Sequence, residues 1–139
     1  MPIYECLTRT GTLDPDKRQR VADAVTSIHV DETGAPKEFV NVYFPELPEG
    51  RVFTAGEVSA MAVIRGQIRA GRPMEVRHNI MHRIADAYVE ITSADPLHVM
   101  VVAMDVPSAW IMEGGQIAPE PTLEAEKAWF EQQAAANPA

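Results

Sequence analysis

The apolar residues of this chain repeat one succession of elements, and that repeat limits the folds it can adopt. Alternating residues predict strands, and apolar spacing near every third or fourth residue predicts helices between them. The predicted strands are 2–8, 38–44, 60–69 and 97–104, and the predicted helices are 15–31 and one that begins at Pro73. Two strands joined by a helix lie parallel. We therefore predict an α+β fold, in which tandem β-α-β units form a four-stranded mixed sheet with both helices on one face.

The length of 139 residues predicts a single domain covering 1–139. Its two β-α-β halves are about 2–45 and 60–105, and a C-terminal tail covers 106–139. The tail contains TLEAEKAWFEQQAAA, which predicts a short helix held by Trp129 and Phe130. The second face of the sheet has no predicted cover and is expected to be apolar. The sequence therefore predicts that the protein associates.

Composition and charge argue against several classes of protein. The net charge of −8 is unfavourable for a surface that binds nucleic acid. No apolar run approaches the roughly 18 residues of a membrane span, and no secretory signal is evident. Cys6 is the single cysteine, so no intrachain disulfide is expected, as is usual in a reducing compartment. We predict a cytoplasmic protein without nucleic-acid or membrane partners.

The first strand begins at Pro2, and this position has two interpretations. Proline suits the first residue of an edge strand, where no backbone donor is required. Alternatively, removal of the initiator methionine leaves a free secondary amine at Pro2. That amine is a candidate acid or base.

Two arginines flank a turn in IRAGRP, with Arg69 at a strand end and Arg72 just before a helix. Planar guanidinium groups beside a helix N-terminus are well suited to bind a carboxylate. The alternative is a pair of solvated loop arginines. In an acidic protein, two convergent arginines would create a local positive potential, opposite in sign to the electrostatic potential of the protein as a whole.

Three further features are ambiguous from sequence. His29 follows the buried position Ile28, and its simpler role is a partner of the helix C-terminal dipole. Glu113, before two glycines, is a surface carboxylate or a catalytic one. His78 and His82 are four residues apart on a helix, which suits a metal, but no third ligand is evident. No metal site and no cofactor is predicted.

Taken together, these features resemble the tautomerase superfamily, and within it the cis-3-chloroacrylic acid dehalogenase group. The resemblance rests on Pro2, the double β-α-β order, and three stretches that contain the candidate residues. These stretches are TSIHVDETG, IRAGRP and VPSAWIMEGG. It covers nearly the whole chain and is weakest in the tail.

The resemblance implies a role for each matching residue. Pro2 matches the catalytic amine, and Glu113 matches the carboxylate that activates water. The residues that match the substrate-carboxylate binding set are His29, Arg69 and Arg72. The family also implies a homotrimer that needs no metal and no organic cofactor. Two positions depart from the dehalogenase, because Val102 replaces a tyrosine that assists with water and Ile68 replaces a histidine.

The expected function is an amino-terminal-proline enzyme that hydrates, dehalogenates or tautomerises small unsaturated or keto carboxylates. Valine at position 102 cannot hydrogen-bond water, so weak dehalogenation is expected. One alternative is a keto–enol tautomerase of enol pyruvates, such as phenylenolpyruvate. Another is a carboxylate-binding module without catalysis, which would have no use for a free Pro2 amine.

Overall fold

The computed structural model describes residues 1–138. Its strands are β1 (Ile3–Arg9), β2 (Asn41–Tyr43), β3 (Glu46–Leu47), β4 (Phe53–Thr54), β5 (Glu57–Val58), β6 (Ala62–Arg69), β7 (Val99–Val106), β8 (Met112–Glu113) and β9 (Gln116–Ile117). Its α-helices are α1 (Pro15–Thr33), α2 (Met74–Thr92) and α3 (Leu123–Ala136). This succession contains the predicted tandem β-α-β order.

The main sheet confirms the predicted mixed topology. Its strand order is β2-β1-β6-β7, and the short β3 also pairs with β1 and brings the sheet to five strands. Strand β1 is parallel to β2 and antiparallel to β6, whereas β6 is parallel to β7. The N-terminal strand therefore lies inside the sheet, which fixes the start of the chain among other elements.

The hydrophobic core lies between the sheet and the two long helices. Alternate residues of β1 and β6 are buried against the predicted stripes of α1 and α2. The buried helical residues include Val21, Val25, Ile28, Ile80, Ile84 and Tyr88. Burying each large aliphatic side chain contributes roughly 1.5–3 kcal/mol. Both helices cover the same face of the sheet, as predicted.

Helix α1 begins as its sequence predicts. The side chain of Asp14 accepts a hydrogen bond from the backbone N–H of Lys17 at 2.8 Å, and Pro15 occupies the first helical position. Gly34 ends the helix with a φ of 72°, a left-handed conformation that glycine adopts without strain. Helix α1 extends two residues beyond the predicted end, and it contains His29 as predicted.

The predicted strand over 38–44 was too long at its start. Residues 37–39 form a 3-10 turn closed by a hydrogen bond from the backbone N–H of Val40 to the carbonyl of Lys37 at 3.0 Å. Phe39 lies in this turn rather than in a strand, and it packs against Trp129 and Phe130 with ring centroids 5.2 and 5.0 Å away. Packing against α3 therefore overrides the alternating pattern.

The predicted strand over 97–104 lies two residues too early. The side chain of Asp95 accepts from the N–H of Leu97 at 2.9 Å and stabilises a 3-10 turn over Pro96–His98. Strand β7 starts after that turn and continues to Val106. The loop predicted after β2 also contains short strands, β3 and the hairpin of β4 and β5.

The second face of the sheet is more polar than predicted. Glu5 of β1 and Arg65 of β6 form an ion pair at 2.7 Å on this face. The apolar expectation is therefore wrong for the central strands. At the edge strand β7, by contrast, Met100 and Met104 are 48% and 42% exposed. No helix among residues 1–138 has the length and apolar character needed to cross a membrane.

Candidate active site

The start of the chain is buried beside Glu113. Pro2 is almost completely buried, and its carbonyl accepts a hydrogen bond from the backbone N–H of Asn41 at 3.1 Å. Met1 is 7% exposed, and its terminal ammonium lies 3.1 Å from Oε2 of Glu113. The interior position of β1 therefore holds the terminal amine against a carboxylate from a distant part of the sequence.

Glu113 is positioned by a tight hairpin. It ends β8 and pairs with Gln116 of β9 across the two residues Gly114 and Gly115. These glycines have φ values of 59° and 79°, as a two-residue hairpin turn requires. Gln133 of α3 donates from its side-chain amide to the carbonyl of Glu113 at 3.0 Å. Helix α3 thus fixes the hairpin that carries the carboxylate.

A cavity of about 210 Å³ lies at this end of the sheet. It is lined by Met1, Ile3, Asn41, Tyr43, Ile111, Met112 and Glu113. Burial lowers the pKa of the terminal ammonium, although Glu113 opposes this shift, and the charge of Arg69 lowers the pKa further. The cavity therefore favours an amine that releases its proton more readily than an exposed one.

Arg69 is buried and paired, so the solvated-loop interpretation is wrong for it. It ends β6 with 3% exposure. Its Nη2 donates to Oε1 of Glu126 at 2.5 Å, and its Nη1 donates to the carbonyl of Pro119 at 2.9 Å. The guanidinium also lies 5.0 Å from the ring centroid of Phe39. Both terminal nitrogens of Arg69 therefore already have protein partners.

Arg72 is half-buried and makes fewer hydrogen bonds to the protein than Arg69. It follows Gly71, whose φ of 107° allows the sharp turn before α2. Its Nη1 donates to the carbonyl of Thr33 at 3.2 Å, while its buried Nε has no partner within residues 1–138. Burial and the charge of Arg69 lower the pKa of Arg72. Arg72 thus has hydrogen-bond donors available to an anion.

His29 is buried in α1 rather than placed at an exposed helix end. Its Nδ1 lies 2.8 Å from the hydroxyl of Tyr4, a residue that the sequence did not single out. Burial lowers the pKa of His29 to about 3, and the charges of Arg72, Arg69 and the terminal ammonium contribute. The imidazole is therefore neutral near pH 7. The terminal ammonium, His29, Arg69 and Arg72 therefore lie within electrostatic range of one another in part, since His29 feels the charges of the other three and Arg69 also acts on the ammonium and on Arg72.

Glu126 is a second residue that the sequence interpretation missed. It is 4% exposed, in the first two turns of α3. The spacing of Glu126, Trp129, Phe130 and Gln133 places them on one helical face. A carboxylate in register with two large aromatic residues was the available signal.

His29, Arg69 and Arg72 do not line this cavity, and the other singled-out positions also lie away from it. Val102 lies on β7 opposite Arg65 and does not line the cavity beside Glu113 within the described chain. Ile68 is completely buried in the core. His78 and His82 are exposed on α2. Across residues 1–138, no cluster of three or more histidine, cysteine or acidic residues could hold a metal ion.

Comparison with known proteins identifies the family. The chain matches the model of the family described as putative oxalocrotonate tautomerase enzyme over residues 1–134. The chain therefore belongs to this tautomerase family, and its membership of the superfamily is confirmed. No curated protein gives a significant sequence match.

Solved structures support the same assignment. Native Ps01740 is 51% identical, with a TM-score of 0.79 over 80% of this chain and 99% of that chain. N1, a member of the cis-3-chloroacrylic acid dehalogenase (cis-CaaD) family, is 28% identical, with a TM-score of 0.85 over 96% of this chain and 99% of that chain. A fused 4-OT described as a symmetric trimer is 24% identical, with a TM-score of 0.77 over 84% of this chain and 94% of that chain, and shows the shared fold.

Proposed function

We propose that the protein is an amino-terminal-proline acid–base enzyme that hydrates, dehalogenates or tautomerises small unsaturated or keto carboxylates. The observation that carries this proposal is the contact between the buried terminal amine and Glu113, 3.1 Å apart. Electrostatic coupling of the amine to Arg69, and of His29 to both arginines, supports it. In this proposal Arg69 and Arg72 hold the ligand carboxylate, and the amine exchanges a proton with the reacting part of the same ligand.

Removal of Met1 is the step that would make the site competent. While Met1 is attached, the nitrogen of Pro2 is an amide and has no basicity, and the Met1 side chain lines the cavity. Adjacent Cα atoms are only about 3.8 Å apart. Cleavage after Met1 would therefore create the new amine at Pro2, close to the position that the terminal ammonium of Met1 now occupies. The amine of Pro2 would then face Glu113 from the start of a rigid strand.

The protonation state of Pro2 selects the chemistry. Burial and the arginines favour the neutral amine, whereas Glu113 favours the protonated one. A neutral Pro2 removes a proton from an enol hydroxyl or an acidic carbon, as ketonisation requires. A protonated Pro2 delivers a proton to an alkenoate carbon. The positive charges of Arg69 and Arg72 orient the substrate by its carboxylate. They also stabilise the negative charge that shifts toward that carboxylate during the reaction.

Water-dependent chemistry would need Glu113 as a general base. Its carboxylate would take a proton from water as the water attacks the activated carbon. We propose that a neighbouring protomer brings Val102 of β7 to this site. Because valine supplies no hydroxyl, dehalogenation is then weak, and hydration or tautomerisation of more activated acids is faster. The alternative of a tautomerase restricted to enol pyruvates is favoured by the same observation, since ketonisation uses no water.

We further propose that the protein is a homotrimer. Two similar fused 4-OT structures are described as trimers. In this chain, β7 is an eight-residue edge strand with exposed methionines, and long edge strands favour pairing with another chain. Light scattering at micromolar concentration should give three times the chain mass. A monomer would contradict this assembly.

Covalent labelling tests the catalytic proposal directly. The similar protein Pt0534 is described as inactivated by 2-oxo-3-pentynoate. An amine adds to the electron-poor triple bond of this ynone, and the adduct gains the full mass of the reagent. We expect one adduct on the nitrogen of Pro2, located by fragmentation of the peptide that begins at Pro2, because this peptide also contains Cys6. Cys6 should remain unmodified because it is buried and its pKa is raised to about 12.

A Met1-retaining preparation is the matched control for labelling. It has no Pro2 amine and should give no adduct at Pro2. A processed protein that binds carboxylates but neither reacts nor turns over an enol pyruvate would support the non-catalytic alternative and overturn the proposed enzyme.

A further inference from the structure

We propose that Glu126 is a specificity-determining residue: it neutralises Arg69, so that the site accepts monocarboxylates and rejects dicarboxylates. This inference rests on the proposed function, because it assumes that the ligand carboxylate binds beside Arg69 and Arg72. It assigns a role to a side chain of α3 that the catalytic proposal does not use.

The ion pair of Arg69 and Glu126 is buried and well held. The side chains of these residues are 2% and 6% exposed, and the Nη2–Oε1 distance is 2.5 Å. Helix α3 is fixed on one side by the packing of Trp129 and Phe130 on Phe39. Gln133, two turns after Glu126, holds the hairpin of Glu113. Glu126 is therefore held in place beside Arg69, outside the lining of the cavity at Glu113.

Counting charges explains why this pair affects selectivity. Arg69 and Arg72 contribute two positive charges, Glu126 contributes one negative charge, and His29 is neutral near pH 7. One positive charge remains without a counter-ion, which matches one ligand carboxylate. Arg72, whose buried Nε lacks a partner within residues 1–138, is the side chain that presents it.

The opposite end of the site also disfavours a second carboxylate. A dicarboxylate anchored at Arg72 would direct its other end toward the amine and Glu113. The negative charge of Glu113 repels that group, and an unpaired buried carboxylate is strongly unfavourable. With Glu126 in place, no additional positive charge compensates for it. Arg69 is within electrostatic range of the amine end, since its charge lowers the pKa of the terminal ammonium. Without the charge of Glu126, the uncompensated charge of Arg69 would therefore act on a second carboxylate there.

The test measures Kd values for propionate and succinate, two unreactive acids that differ by one carboxylate. Calorimetry on the processed wild-type protein should show a preference for propionate of about tenfold or more, the size of one charge-assisted contact. Glu126→Gln should reduce or invert this preference by tightening succinate binding. Glu124→Gln, an exposed glutamate on the same helix, is the matched control and should leave the ratio unchanged.

Further variants of Glu126 separate its charge from its packing. Glu126→Met, a second uncharged side chain of similar length, should shift the ratio of the two Kd values in the same direction as Glu126→Gln, and it takes the place of that variant if Glu126→Gln does not fold. Glu126→Asp keeps the negative charge and should keep the wild-type ratio. A Glu126→Met protein with the wild-type ratio, or a Glu126→Asp protein whose ratio shifts as far as that of the uncharged variants, would overturn the inference.

The remaining outcomes separate this inference from the proposed function. If the wild type binds propionate and turns over an enol pyruvate, but Glu126→Gln leaves the binding ratio unchanged, only the role of Glu126 is wrong. If the processed wild type binds neither acid and has no activity, the proposed function is wrong, and this inference is overturned with it.

Discussion

The hydroxyl of Tyr4 lies 2.8 Å from Nδ1 of His29, in the layer between the sheet and α1. The two rings meet edge to face with centroids 5.7 Å apart. Burial raises the pKa of Tyr4 and lowers that of His29, so both groups are neutral near pH 7. We assign the hydroxyl proton to this bond, which leaves the imidazole hydrogen on Nε2 and available to an anion.

Gly66→Ala should break this contact. Gly66 pairs with Tyr4 across β1 and β6, and a Cβ at position 66 would lie 2.4 Å from Cε1 of the tyrosine ring. The ring must move, so we expect a loss of about 1–3 kcal/mol in the free energy of unfolding. Tyr4→Phe should lose about 1–2 kcal/mol because Nδ1 of His29 loses its partner. Urea unfolding measures both variants. Tyr43→Phe, on an exposed tyrosine, is the control, and equal losses there would contradict the assignment.

The stability of the protein should fall as pH decreases through the range where His29 titrates. The folded-state pKa of His29 is about 3, below its ordinary value of 6.5, so the unfolded chain binds more protons between these values. Stability is therefore full above pH 6.5 and is lost as pH falls toward 3. Between pH 7 and pH 5 the loss from this residue is about 2 kcal/mol.

Urea unfolding at pH 7 and pH 5 checks this dependence. His29→Asn should remove most of the pH-dependent loss. His78→Gln, on an exposed histidine of α2, should retain it. A His29→Asn variant that keeps the full wild-type dependence would show that another group titrates.

Arg72→Ala should weaken binding of a carboxylate substrate. One charge-assisted hydrogen bond contributes roughly 1.5–3 kcal/mol, so KM should rise about ten- to a hundredfold or more. The value of kcat should fall as well if the contact strengthens in the transition state. Steady-state ketonisation of an enol pyruvate measures both constants. Arg51→Ala, an exposed loop arginine, is the control, and Arg72→Ala with unchanged kinetics would remove Arg72 from the site.

Val102→Tyr tests the water-dependent reactions. Within one chain Val102 does not line the cavity, so we expect an effect only if a neighbouring protomer brings strand β7 to the site. In that case the phenol should raise halide release from a cis-3-haloacrylate by about ten- to a hundredfold, the value of one hydrogen bond of 1–3 kcal/mol. Ketonisation should change little. Fast halide release by the wild type would contradict the proposed role of this position.

Local pattern predicted most of the fold because the helices and long strands obey it. The stripe of Val21, Val25 and Ile28 marks the buried face of α1, and Asp14 with Pro15 marks its start. The alternating pattern through Phe39 predicts a strand, but Phe39 lies in a 3-10 turn because its ring packs against α3. Such contacts join residues about 90 positions apart, and no local pattern encodes them.

The candidate site was predictable only in part. The assigned roles of Pro2, His29, Arg69, Arg72 and Glu113 stay predictions that came from a family resemblance. The sequence did not single out Tyr4 and Glu126, the partners of His29 and Arg69. A tyrosine in a strand and a glutamate in a glutamate-rich helix are common, so neither carries a functional signal. Their importance arises from the tertiary contacts that bury them.

The turnover of Pro2→Ala tests the central claim most directly. Alanine is also small enough for Met1 to be removed, and intact mass should verify processing of both proteins. A positioned general acid or base contributes about 10²–10⁴-fold, so ketonisation of an enol pyruvate should slow by that factor. Pro15→Ala, at the exposed first position of α1, should have wild-type turnover. A processed Pro2→Ala protein with near-wild-type turnover would contradict the account.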